Sequence, residues 1–183
     1  MKTLNIEHLY VQIGFSETMI FIVFSELYYS EFHGINSKII EDMNLNMPIS
    51  DIMTKNVLFV HYNNKLDEVE HLMKSKNIRH IPVLKEGKLC GIVSLTDLDR
   101  LSFTKGIGED DDKEFLYNTL SIEDVMMSSP VTIASDGNLK EAAELLVQRD
   151  FHALPVVDND LLVGIVTTTD LMKIILQEES NLA

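Results

Sequence analysis

Apolar residues recur along this chain with two periods, and each period marks a different element. Leu139, Ala142, Ala143 and Leu146 stand at i, i+3, i+4 and i+7, which predicts a helix burying one stripe. Asn138 and Glu141 have the spacing of a capping box at its start. Leu66, Val69, Leu72 and Met73 repeat the stripe earlier in the chain. Short apolar runs read instead as strands: Val57-Leu58-Phe59-Val60 and Val131-Thr132-Ile133. Residues 80–84 and 89–94 flank Glu86-Gly87, and 153–157 and 161–167 flank Asp158-Asn159-Asp160, so each pair predicts two strands joined by a polar turn. A short helical turn precedes each set (Ile49–Met53, Ile122–Met126), and a last helix starts near Ser94 and near Thr167. Strands separated by helices imply an α+β or α/β unit with a small sheet covered on one face. Ahead of all this, Phe21, Phe24, Leu27 and Tyr28 fall at helical spacing, predicting an amphipathic helix over 17–32 that Gly34 and Asn36 end.

The second set of elements is a copy of the first. Ile81-Pro82-Val83-Leu84 through Gly91-Ile92-Val93-Ser94-Leu95-Thr96-Asp97-Leu98 returns as Leu154-Pro155-Val156-Val157 through Gly164-Ile165-Val166-Thr167-Thr168-Thr169-Asp170-Leu171. Met53 and Met126, Pro82 and Pro155, Gly91 and Gly164, and Asp97 and Asp170 each lie 73 positions apart, with no gap needed. One offset of this length marks a duplicated folding unit rather than a short solenoid repeat. Two copies bury their apolar faces economically by packing on each other about a pseudo-two-fold axis, an arrangement expected to leave two related clefts. The sequence thus divides into an N-terminal extension (1–47), a first copy (48–103), an acidic linker (104–119), a second copy (120–176) and a tail (177–183). Gly106 to Lys113, with Glu109 and three consecutive Asp residues, reads as a solvated linker or loop tip.

Composition narrows the function classes. The formal net charge of −14 over 183 residues argues against nucleic acid or an anionic membrane as partner, because phosphate backbones are bound by basic surfaces. Small anions stay possible, since exposed charges beyond about 8 Å are screened at physiological salt. Cys90 is the single cysteine, so no intrachain disulfide can form, and its counterpart Val163 points to an apolar packing role. The run Met19–Phe24 is far shorter than the roughly 20 apolar residues of a membrane helix, and no secretory signal is readable. A cytoplasmic protein is the expectation. His61, His71 and His80 fit no standard metal-ligand spacing, and no nucleophile elbow, HExxH, P-loop or dinucleotide-binding glycine pattern occurs. Neither catalytic nor metal-binding residues are expected.

Chemistry concentrates where the last helix of each copy begins. Ser94 and Asp97, and Thr167 and Asp170, form hydroxyl-x-x-Asp, which serves as an N-cap with a dipole-favoured acid. The same geometry suits a ligand: free N–H groups at a helix start bind phosphate, and an Asp accepts two hydrogen bonds from a ribose diol. A cap can drift to Asn or Gly at little loss, so its retention in both copies favours the ligand reading.

In sequence, Met53-Thr54 or Met126, then a helix, then an apolar-Pro-Val strand, then Gly-Ile-Val-Ser/Thr-x-x-Asp, resembles the cystathionine β-synthase (CBS) domain, twice in tandem over about 48–175. The resemblance implies two β-α-β-β-α units packed through their sheets as a pseudo-two-fold module, frequently paired as a homodimer. It implies an adenosine-containing ligand (AMP, ADP, ATP or S-adenosylmethionine) and no required cofactor. Asp97 and Asp170 match the ribose-binding acids, and Ser94 and Thr167 match the phosphate or ribose hydroxyls, with Thr96 and Thr169 on the same turns. Val57-Leu58 and Val131-Thr132 match the adenine-facing stretch, and Arg79-His80 and His152-Ala153 the phosphate-contacting positions. Ala153 departs from that pattern, so the first copy is expected to bind a phosphorylated ligand more tightly. Two function classes result: a regulatory module that senses an adenosyl ligand and acts on a separate target protein, and a ligand-free scaffold that docks a partner.

Overall fold

A computed structural model describes residues 44–103, 110–149 and 151–182. The expected helix over 17–32 lies outside them. Helix α1 (Ile49–Ile52) and strand β1 (Val60–His61) lead into α2 (Leu66–Ser75), strands β2 (His80–Lys85) and β3 (Lys88–Ser94), and α3 (Leu95–Phe103). Helix α4 (Asp110–Thr119), a 3-10 turn (Ile122–Asp124) and β4 (Met127–Ser128) follow, then α5 (Leu139–Gln148), β5 (Ala153–Asp158), β6 (Leu161–Thr167) and α6 (Thr168–Leu182). The mixed α and β class is the expected one. Among the described residues, no helix is long and apolar enough to cross a membrane.

Local chemistry explains the joints. Asn77, in left-handed conformation at φ 52°, closes α2, and the Ile78 N–H reaches the Met73 carbonyl at 2.9 Å. Glu86 and Gly87 both have positive φ, as do Asn159 and Asp160, so each hairpin closes through the two-residue turn that matches strand twist. Asn138 caps α5 by accepting the Glu141 N–H at 2.9 Å. Ser135 donates to Asp158 through N–H and hydroxyl (3.0 and 2.6 Å), and the hydroxyl bond chiefly holds that carboxyl below the usual range.

The sheets carry the duplication into three dimensions. One has strand order β1-β2-β3-β4, with β1 and β2 parallel and the rest antiparallel. The other is β5-β6, joined by bridges Ile133↔Val156 (parallel) and Thr54↔Ile165 (antiparallel). Those bridges are the 73-residue counterparts of Val60↔Val83 and Ile92↔Met127. The segment after each entry turn therefore pairs with the other copy's hairpin. Gly91 makes this approach possible, because a Cβ there would collide with the Met126 sulfur and lie 3.2 Å from the Met127 carbonyl oxygen. Gly91→Ala is expected to cost about 1–3 kcal/mol by overpacking, read as a lower urea midpoint with unchanged slope.

The described chain forms two compact units, and they cut across the sequence copies. One comprises the described residues of 54–135 and 155–165; the other includes those of 44–53, 136–154 and 166–182. In the first, Leu66, Val69, Met73, Ile81, Val83, Val93, Leu98 and Ile122 are wholly buried in one cluster. Four consecutive buried residues, Ile81–Leu84, mean β2 is covered on both faces rather than the single face expected. In the second unit the entry segment lies along the start of α5: Leu139 N–H donates to the Met47 carbonyl (2.9 Å) and Lys140 N–H to Leu45 (3.1 Å).

The acidic stretch read as a loop tip becomes helical from Asp110. Its far end explains why: Tyr117, 8% exposed, joins the core of the first unit. Burial, then the nearby Glu70 carboxylate, raise the Tyr117 hydroxyl well above the ordinary tyrosine value. Glu70 is itself buried and paired with Lys74 at 2.7 Å. Cys90 is partly buried; its thiol donates to the Val83 carbonyl at 3.4 Å, and desolvation pushes its pKa up, which suits packing rather than nucleophilic chemistry.

Candidate functional site: two hydroxyl-x-x-Asp turns

Each candidate turn is built by a strand pair that delivers a helix start. In the first copy the antiparallel register sets His80 opposite Ser94, and the Leu95 N–H donates to the Arg79 carbonyl at 2.8 Å. Arg79, His80, Ser94, Thr96 and Asp97 are thereby gathered at the N-terminus of α3. The second copy repeats the joint: the Thr168 N–H donates to the His152 carbonyl at 3.2 Å, placing His152 beside Thr167, Thr169 and Asp170 at the start of α6.

Two hydrogen bonds recur in both turns, and the second turn adds a third. The Ser94 hydroxyl donates to Asp97 Oδ2 at 2.5 Å and accepts the Asp97 N–H at 3.1 Å. The Thr167 hydroxyl donates to Asp170 Oδ2 at 2.7 Å and accepts the Asp170 N–H at 3.3 Å; the Thr167 N–H also donates to Oδ2, at 3.0 Å. The Ser94 and Thr167 hydroxyls therefore cap their helices, and each acid holds its capping hydroxyl through Oδ2. The second oxygen does something else. Asp97 Oδ1 faces Arg100 at 3.8 Å, and Asp170 Oδ1 faces Lys173 at 3.1 Å. Arg100 and Lys173 are also 73 positions apart. Neither the cap nor the ligand reading of the sequence named these two; the signal was a basic residue one helical turn after each acid.

Arg79 and His152 are exposed, His80 is half-buried, and Ala153 is buried with 8% exposure. Val57 and Leu58 lie in the same unit as Asp97; counted back from Val60↔Val83, Val57 falls level with His80. Val131 and Thr132 belong to that unit as well, whereas Thr167 and Asp170 belong to the other. The bridge counterparts also correct the pairing by one position: Leu58 corresponds to Val131, and Phe59 to Thr132. Phe59, not singled out by the sequence reading, is 44% exposed and meets His61 edge-on with ring centroids 5.6 Å apart. Among the described residues, no group of three or more His, Cys, Asp or Glu side chains is placed to hold a metal ion.

Comparison with known proteins agrees with this construction. A family model described as the CBS domain matches residues 49–103 and 122–177. MJ1225 of Methanocaldococcus jannaschii is 30% identical over 147 residues, and its crystal structure superposes with a TM-score of 0.62 over 74% of this chain and 50% of that one. CBSX2 in complex with AMP is 28% identical, with a TM-score of 0.61 over 73% of this chain and 98% of that one. The CBS domain pair of MJ0100, in complex with 5-methylthioadenosine and S-adenosyl-L-methionine, is 25% identical, with a TM-score of 0.62 over 72% and 98%. This chain spans 49% of the length of MJ1225 and 24% of a homoserine O-acetyltransferase from Methanohalobium evestigatum, so the enzyme match covers a minor part of the enzyme. With two matched segments in tandem over most of its length, the chain belongs to the CBS domain family.

Proposed function

We propose that this chain is a regulatory CBS pair that binds an adenosine-containing ligand at its hydroxyl-x-x-Asp turns and signals by a change of conformation or assembly to another protein. The observation that carries this reading is one turn present in both copies, in which the hydroxyl donates to Oδ2 and accepts the N–H of the acid. Each turn combines a helix N-terminus, a hydroxyl and an acid whose Oδ1 lies outside the hydroxyl–carboxylate bond. A phosphate on the N–H groups and a ribose diol on the carboxylate fit those donors and acceptors. The AMP carried by CBSX2 and the methylthioadenosine and S-adenosylmethionine carried by the MJ0100 pair support an adenosyl ligand.

The second reading, a scaffold without ligand, is favoured by one observation: Oδ2 of both acids is already committed to the capping hydroxyl. A thermal-shift panel of AMP, ADP, ATP and S-adenosylmethionine separates the two. A ligand at about 100 times its dissociation constant adds roughly 2.7 kcal/mol, or about 5–10 °C for a chain of this size. A melting point unmoved by all four at millimolar concentration would leave the scaffold reading.

A further inference from the structure

The two turns differ at the oxygen their caps leave over. Lys173 Nζ sits 3.1 Å from Asp170 Oδ1, within hydrogen-bonding range, while the Arg100 guanidinium stands 3.8 Å from Asp97 Oδ1. The acids are covered accordingly: the Asp170 side chain is 12% exposed and that of Asp97 42%. Helical side chains lean towards the N-terminus, so a basic residue three positions on reaches back over the acid. In the second copy its charge lands on the carboxylate, 3.1 Å from Oδ1.

Resting on the adenosyl-ligand reading above, we propose that Lys173 is a latch on Asp170. The acid of the second copy is held by its own lysine, and a ribose diol must displace that ammonium to reach Oδ1. Arg100 pairs with Asp97 Oδ1 at the longer 3.8 Å and on a more exposed acid, so its hold there is looser. The second turn is thus the weaker one for any ribose ligand, phosphorylated or not. This is separate from the loss of a phosphate contact at Ala153, which weakens phosphorylated ligands alone. Lys173 is a positioning residue that acts through Asp170, and exposed ion pairs of this kind shift equilibria by about 1.5- to 5-fold.

Calorimetry with adenosine in an Asp97→Ala background reads the second turn alone. Lys173→Met is expected to tighten adenosine there by about 1.5- to 5-fold, and Lys173→Arg to leave it weaker than Lys173→Met. Raising salt from about 0.05 to 0.5 M, which shortens screening to a few ångströms, should tighten the lysine form and leave the methionine form unchanged. Weaker binding by Lys173→Met would make the lysine a ligand contact and overturn the latch. Unchanged affinity with an altered melting curve would reduce the pair to a structural one and overturn it equally. If the unsubstituted chain binds no adenosine at either turn, the ligand reading itself fails, and the latch with it.

Discussion

Asp97→Ala and Asp170→Ala are each expected to remove adenosine binding from one copy while the chain stays folded. A ribose diol needs an acceptor for two hydroxyl donors, and alanine offers none. The loss should approach the whole affinity of that turn, because the donors left unpaired keep their desolvation cost. Each acid also holds the capping hydroxyl through Oδ2, so a second and smaller effect accompanies the first: about 0.5–2 kcal/mol of stability. The conservative partners Asp97→Asn and Asp170→Asn keep a cap acceptor and should recover most of the stability without the affinity. Titration calorimetry beside a urea melt separates the effects. Stability lost with affinity intact would make both residues caps and nothing more.

The second large effect is expected from Arg79→Ala. Arg79 is exposed at the mouth of the first turn, its carbonyl fixed by the Leu95 N–H at 2.8 Å. A guanidinium there can offer a planar fork to a phosphate. A charge-assisted hydrogen bond contributes about 1.5–3 kcal/mol, so AMP affinity at this turn should fall roughly 10- to 100-fold, while adenosine, lacking the phosphate, changes little. The second copy has His152 at this position and buried Ala153 beside it, so removing Arg79 should bring the two turns closer together for AMP. Equal loss for AMP and adenosine, or loss for neither, would show that Arg79 does not contact the phosphate.

Much of the architecture was legible because duplication tests every reading twice. A stripe such as Leu66-Val69-Met73 is ambiguous alone, but its return at Leu139-Ala142-Leu146 removes the ambiguity. The turns at Glu86-Gly87 and Asn159-Asp160 were legible for the same reason. What escaped was structure whose cause lies far away in sequence. Met127–Ser128 is too short and too polar to announce a strand; it exists because β3 offers an edge that Gly91 leaves open. Helix α4 begins in an acidic run that composition reads as solvated, and Tyr117, buried near its far end, ties it to the core. At the candidate turns, the hydroxyl and acid were legible as a local motif. Arg100 and Lys173 were not, since a basic residue on a helix usually lies on a solvated face, and only the second carboxylate oxygen gives these two a specific partner.

The central claim is that both turns, and not some other surface, hold the adenosyl ligand. Backbone amide chemical shifts of the isotope-labelled chain during an adenosine titration test it most directly. The expected result is saturable shifts concentrated at the amides of Leu95–Asp97 and Thr168–Asp170, with the first set saturating at lower ligand concentration than the second. Saturable shifts elsewhere with these amides unmoved, or no shifts at millimolar adenosine, would contradict it.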